Sequence, residues 1–122
     1  MSENLPRTTE KPWGQELLFA LTPEYAGMVV SVKKGKRFSL HYHEKLDETH
    51  YIYKGKAVME MEDAKGNQSI LNVQEGDCYR ILPLTKHRLR ALEDTIIFQV
   101  STSEIQDTVR LADDYGRASK QK

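Results

Sequence analysis

The feature that most restricts how this chain can fold is the rhythm of its short apolar stretches. From about Glu16 onward, β-branched and aromatic runs alternate with turn residues at intervals of roughly eight to twelve residues, the spacing of an all-β sandwich or barrel. No segment holds a helical period long enough to compete. The pattern predicts strands at 16–20, 28–33, 37–43, 48–54, 56–62, 68–73, 77–82, 87–92 and 95–101. Pro23, Gly27, Gly35, Gly55, Lys65-Gly66-Asn67, Gly76 and Glu93-Asp94 stand at their ends as turn or hairpin residues. The gaps leave no room for the helical crossovers that parallel strands require, so the expected fold is an antiparallel all-β barrel or jelly roll. Residues 1–10 read as a flexible leader, 11–117 as one domain and 118–122 as a flexible tail, with a short helix or ordered arm within 104–115.

Composition narrows the functional classes. With 122 residues, 39% apolar and 30% charged, the chain is sized for one core. Eighteen basic residues balance eighteen acidic ones, so no global field draws the protein to nucleic acid or anionic lipid, and neither is an expected partner. Lys33-Lys34-Gly35-Lys36-Arg37 reads as a solvated edge. Apolar runs such as Ile96-Ile97-Phe98 fall far short of the roughly 20 residues of a membrane span, and 1–10 lacks an apolar signal region, which predicts a cytoplasmic protein. Cys78 is the single cysteine and excludes an internal disulfide or a multi-cysteine zinc site. It reads as a small buried hydrophobe. A metal would need histidine and carboxylate.

Those residues recur in one pattern: Gly35, His41, His43, Glu48 and Gly55, with His87 eleven residues after Gly76. Side chains alternate across a strand, so His41 and His43 leave from the same face and can grip one ion. Glu48 follows a turn, which lets the next strand bring a carboxylate to that face, while His87 arrives from a more distant strand. Three imidazoles and one carboxylate suit a divalent transition metal such as Zn, Mn, Fe, Ni or Cu, with positions left for water or substrate. The complete pattern, G-x5-H-x-H-x4-E-x6-G, resembles the first motif of the cupins at every fixed position. Gly76-Asp77 and His87 are similar to the second, although Leu84 stands where a glycine is common and Ala91 where an asparagine is usual. The resemblance implies a cupin-type jelly roll with His41, His43, Glu48 and His87 as metal ligands.

A narrower resemblance covers about residues 10 to 117. Lys11-Pro12-Trp13-Gly14, Gly35-Lys36-Arg37-Phe38-Ser39-Leu40, Lys86-His87-Arg88-Leu89 and Val109-Arg110-Leu111-Ala112-Asp113-Asp114-Tyr115-Gly116-Arg117 are similar to the cupin region of type II mannose-6-phosphate isomerases. Those isomerases usually carry glutamine where this chain has His41. The resemblance implies a metal-dependent sugar-phosphate isomerase. The same donor set also suits a metal-dependent dioxygenase, and the same fold a non-catalytic cupin that binds carbohydrate or a small acid.

Strand parity supplies further candidates. If His41 and His43 face inward, so do Arg37 and Ser39; Glu48 likewise predicts His50 and Ile52 inward. His50 is a candidate base or a partner behind the ligands, and Arg37 a candidate for a phosphate or carboxylate of a small anionic or polyhydroxyl substrate. Arg80 lies in 77–82, which reads as core, so it marks an anionic substrate or pairs with a buried glutamate. Tyr51 and Tyr53 belong to the opposite face, where aromatics pack a sheet or a dimer interface, and a homodimer is expected. Trp13 anchors the N-terminal arm in this reading, with Met28, Met59 and Met61 filling the core.

Overall fold

A computed structural model of the protein describes residues 4–114, and among them there is no helix. The strands are β1 (Arg7–Lys11), β2 (Gly14–Leu21), β3 (Ala26–Val32), β4 (Leu40–Tyr42), β5 (Glu48–Lys54), β6 (Lys56–Glu62), β7 (Gln68–Gln74), β8 (Cys78–Ile81), β9 (Lys86–Ala91), β10 (Thr95–Ser101) and β11 (Val109–Ala112). They form a six-stranded sheet in the order β1-β2-β3-β10-β5-β8 and a five-stranded sheet in the order β11-β4-β9-β6-β7. All the pairings are antiparallel. The two sheets make an all-β jelly roll, as the sequence rhythm predicts.

Alternation explains how the sheets close on one core. In β5, Glu48, His50 and Ile52 are buried while Tyr51 and Tyr53 are exposed. Ile52, Ile81 and Ile97 from one sheet meet Met59 and Leu89 from the other, each essentially inaccessible. Burying a side chain of this size stabilises by about 1.5–3 kcal/mol. Met28 joins this core and Met61 packs against it. Trp13 is buried with its ring 4.7 Å from that of Phe38, so it does anchor the N-terminal arm. At the β5–β6 hairpin, Gly55 has φ 101°, and a Cβ there would lie 2.5 Å from the Asp94 carbonyl oxygen. The glycine that ends the histidine pattern is thus required by a close approach of backbone.

The structure departs from expectation in the leader and in the 37–43 stretch, and it shows the expected arm near the C-terminus. The polar leader contributes β1, paired with β2 from Arg7↔Leu18 to Lys11↔Gly14. Regular pairing in the 37–43 stretch begins only at Leu40; before it Arg37 makes an isolated bridge to Arg90. The 104–115 stretch is an ordered arm as far as it is described, and its β11 extends the five-stranded sheet beside β4. Residues 1–3 and 115–122, including the expected tail, lie outside the described residues.

The loop before His87 keeps a glycine-like conformation without a glycine. Leu84 has φ 69°, and its N–H donates to the His43 carbonyl at 2.7 Å. The left-handed region costs a non-glycine residue about 1–2 kcal/mol, and Leu84 is half exposed, so little burial offsets that cost. Leu84→Gly is expected to raise the thermal midpoint by a few degrees, the strain relief exceeding the entropy that glycine adds to the unfolded chain. A scanning-calorimetry midpoint at or below that of the parent would contradict this.

Candidate metal centre

His41 leaves β4, His43 the turn that follows it, and His87 the strand paired with β4, where His41 and His87 are directly opposite. Cross-strand partners share a face, so this register sets two imidazoles side by side. Their ring centroids are 4.4 Å apart, and those of His41 and His43 5.1 Å. One ring nitrogen from each histidine falls within 4.8 Å of the others.

The hydrogen bonds decide which nitrogens are offered. His41 Nδ1 donates to the Ser39 carbonyl at 2.9 Å, His43 Nδ1 to the Asp107 carbonyl at 2.6 Å and His87 Nδ1 to the Thr85 carbonyl at 2.9 Å. A carbonyl oxygen only accepts, so each Nδ1 carries the hydrogen and each neutral ring presents the Nε2 lone pair. Such outer bonds orient metal-binding imidazoles and raise their basicity. The Asp107 carboxylate also accepts the main-chain N–H groups of Lys45 and Leu46, which fastens the turn after His43 to the C-terminal arm.

Glu48 enters from the opposite sheet. Its Oε2 lies 2.9 Å from His43 Nε2 and 3.6 Å from His87 Nε2, yet this buried oxygen has no aligned hydrogen-bond donor. An ionised oxygen left unsatisfied in the interior is costly. A divalent cation held between Oε2 and the imidazole nitrogens would satisfy it, so the residues fit a metal. Glu48 Oε1 is already bonded, accepting from His50 Nε2 at 2.9 Å. The other His50 nitrogen, Nδ1, is 2.9 Å from the Tyr79 hydroxyl and in the neutral ring accepts its hydrogen. Tyr79–His50–Glu48 is therefore a buried chain that aims one carboxylate oxygen at the histidines.

Burial would raise the Glu48 pKa, but His43 and His50 beside it outweigh burial and hold the carboxyl well below its ordinary range. For His43, burial is likewise outweighed, by the Glu48 carboxylate and the Asp107 carbonyl, and its pKa is raised. His41 and His87 are dominated by burial; the first is lowered well below the usual imidazole value and the second to about 4. These two rings stay neutral near neutral pH, which is the metal-binding form.

Above the histidines opens a cavity of about 400 Å³ with Glu48, His50 and His87 at its buried end and Trp13 and Phe38 among its walls. Arg37 and Arg80 do not line it. Parity fails for Arg37 because regular strand geometry does not reach back to residue 37; its guanidinium makes paired bonds of 2.6 and 2.8 Å to Asp114. Arg80 lies opposite outward Thr49 in the β5–β8 register, on the exposed face, with bonds of 3.0 and 2.6 Å to Asp47. Neither buried glutamate nor core surrounds it. Arg80→Ala is expected to leave metal content and ligand binding unchanged, as elemental analysis and titration would show. Cys78 is exposed rather than buried, since Tyr79 and Ile81 take the inward positions of β8. The cations that do line the cavity, Arg7, Lys11 and Arg110, were missed by the sequence reading. The alternation of Arg7, Thr9 and Lys11 was the available signal.

No family model and no curated protein matches the sequence. Solved structures do. Oxalate decarboxylase from Bacillus subtilis superposes with a TM-score of 0.80 at 23% identity, covering 91% of this chain and 32% of that one. KdgF from Halomonas sp. gives 0.68 at 25% identity, covering 80% and 86%. The capsular polysaccharide assembling protein CapF from Staphylococcus aureus gives 0.71 at 20% identity, covering 84% and 31%. The chain thus spans about a third of oxalate decarboxylase and of CapF, and most of KdgF. No helix among the described residues is long and apolar enough to cross a membrane. With two antiparallel sheets, these neighbours and three histidines able to hold a divalent metal, the chain has the cupin-type jelly-roll fold and the donor set of a metal-binding cupin.

Proposed function

We propose that this cupin is a metal-dependent enzyme that isomerises a small sugar phosphate. The observation that carries the reading is the convergence of three Nε2 atoms and the orphaned Glu48 Oε2 at the buried end of an open cavity. A divalent metal at that point, held by His41, His43, His87 and Glu48, supplies Lewis-acid polarisation of neighbouring carbonyl and hydroxyl oxygens. The protein residues do the rest. Trp13 and Phe38 exclude water from the carbon skeleton, and the Tyr79–His50 pair fixes Glu48, which makes His50 a positioning residue. Among the described residues, the carboxylate besides Glu48 that lines the cavity is Glu16, and it is assigned as the base. Its oxygen takes the proton from the carbon next to the carbonyl and returns it to the neighbouring carbon, while the hydroxyl proton passes to the former carbonyl oxygen. Atoms balance without a co-reactant.

NMR product analysis with mannose 6-phosphate and fructose 6-phosphate, with and without added Mn, Fe, Ni or Zn, tests the reading. Interconversion that requires metal and drops by at least about 100-fold in Glu16→Gln, with metal retained, is the expected result. Oxygen uptake in place of interconversion would favour the dioxygenase, for which the three-histidine, one-carboxylate set also leaves open positions. Binding without turnover would favour a non-catalytic cupin.

We also propose a cytoplasmic homodimer. A lone exposed thiol suits a reducing compartment. Tyr51, Tyr53, Phe98 and Val100 are exposed on neighbouring strands of the six-stranded sheet, with Tyr53 and Phe98 stacked at 4.7 Å. The chain carries no formal net charge to repel a second copy of that face. Light scattering should give twice the chain mass, falling to the chain mass in Tyr53→Glu; a monomer at high concentration would overturn the dimer.

A further inference from the structure

We propose that the Asp107 carboxylate is a positioning residue of the metal centre: it holds the turn that carries His43 and so fixes that imidazole beside Glu48. The role rests on the metal-binding reading of the site and on no particular substrate. The three histidines are supported unequally. His41 and His87 lie in β4 and β9, and each Nδ1 donates to a carbonyl two residues earlier, at Ser39 and Thr85. His43 lies just past β4, in a 43–47 stretch outside any strand. Its Nδ1 donates at 2.6 Å to the carbonyl of Asp107, 64 residues away, with the Thr108 hydroxyl at 3.4 Å. His43 Nε2 is also nearer the orphaned Glu48 oxygen, at 2.9 Å against 3.6 Å for His87. A central donor is thus oriented from a remote segment.

That segment has no ladder of its own to hold it. Residues 102–108 cross from β10 in the six-stranded sheet to β11 in the five-stranded one without forming a strand. The Asp107 side chain ties this crossover to the turn at the histidine, its Oδ2 accepting the N–H groups of Lys45 at 2.6 Å and Leu46 at 3.2 Å. Hydrogen bonds to an ionised oxygen are roughly twice as strong as neutral ones. One residue therefore takes the imidazole on its carbonyl and the following main chain on its carboxylate. A second tie joins Asp47 to Thr102, with the Thr102 N–H on the Asp47 carbonyl at 3.0 Å and the Asp47 N–H on the Thr102 hydroxyl at 3.1 Å. It lies at the far end of the turn, away from His43. The Leu84 N–H on the His43 carbonyl fixes the peptide and leaves the ring's rotation to Asp107. Buried Leu46 lines the cavity with Ile105 and Thr108, so the same clamp shapes the wall beside the histidines.

Two measurements on the full chain test the role. In metal-free protein, the His43 Nδ1–H should give a downfield proton resonance that exchanges slowly with water. In Asp107→Ala it should exchange at least about tenfold faster, while the His41 and His87 protons keep their parent rates. A general loosening would move all three. With Zn or Mn, competition against a chromophoric chelator should show affinity about 10–100-fold lower in Asp107→Ala. Asp107→Asn, whose amide oxygen still accepts both N–H groups, should stay within about threefold of the parent. Asp107→Leu, which keeps the shape of the side chain without its oxygens, should match Asp107→Ala and decides the result if that variant does not fold. Three protons altered alike, exchange and affinity unchanged in both apolar variants, or an asparagine variant as weak as the alanine one would overturn the role. A parent that binds neither metal would instead overturn the metal-binding reading, and the exchange rates, measured without metal, would still decide whether Asp107 holds the ring.

Discussion

Replacing His87 by alanine is expected to abolish metal retention and, with it, turnover. The imidazole is almost fully buried, its Nδ1 is committed to the Thr85 carbonyl, and its Nε2 faces the orphaned Glu48 oxygen at 3.6 Å. Losing a partner that merely orients a ligand costs metal affinity about 10–100-fold, so losing a donor should cost at least the upper end of that range. His43→Ala should behave alike, because His43 Nε2 approaches Glu48 Oε2 to 2.9 Å. Competition against a chromophoric chelator would measure the loss, with circular dichroism confirming the fold. Affinity within about threefold of the parent in both variants would remove these histidines from the site.

Stripped of metal, the protein is expected to lose stability as the pH falls from about 6.5 toward 4. In that window the unfolded chain protonates His87, whereas the folded chain, in which burial lowers its pKa to about 4, resists the proton. Stability therefore rises with pH across the window, by roughly 3 kcal/mol from this ring. His41, lowered in the same direction, adds to the effect. His43 works oppositely: its raised pKa contributes stability that is fully present below 6.5 and fades as the pH rises through its folded value. Glu48, held low, contributes stability present above 4.5 and lost as the pH falls through its own folded value. Two lowered imidazoles against one raised imidazole leave a net decline on acidification. Urea midpoints at pH 7, 6, 5 and 4 in chelator would record it, and a flat profile would contradict it.

These outcomes depend on features that were unequally visible in the sequence. Alternation through β5 placed Glu48 and His50 on one face and Tyr51 and Tyr53 on the other, because the strand alternates from Glu48 to Tyr53 and its ladder with β10 slips only beyond Ile52. The same rule failed when carried back to Arg37, since pairing in β4 begins only at Leu40. Within 77–82, Tyr79 and Ile81 claim the interior, which sends Cys78 and Arg80 outward. β1 escaped notice for a different reason. A strand whose inner face borders an open cavity carries Arg7, Thr9 and Lys11 there instead of apolar residues, so it looks like a polar leader. The hydrogen bonds from each Nδ1 to a carbonyl, and the chain from Tyr79 through His50 to Glu48, join residues distant in sequence and have no local signature.

Elemental analysis of protein purified without a histidine tag tests the metal centre most directly. Close to one divalent transition metal per chain should be found, or be taken up on adding Mn, Fe, Ni, Cu or Zn to chelator-treated protein, with a rise in the thermal midpoint that His87→Ala does not show. Protein that retains none of these metals, takes none up and keeps the same midpoint in their presence would contradict the assignment of His41, His43, Glu48 and His87.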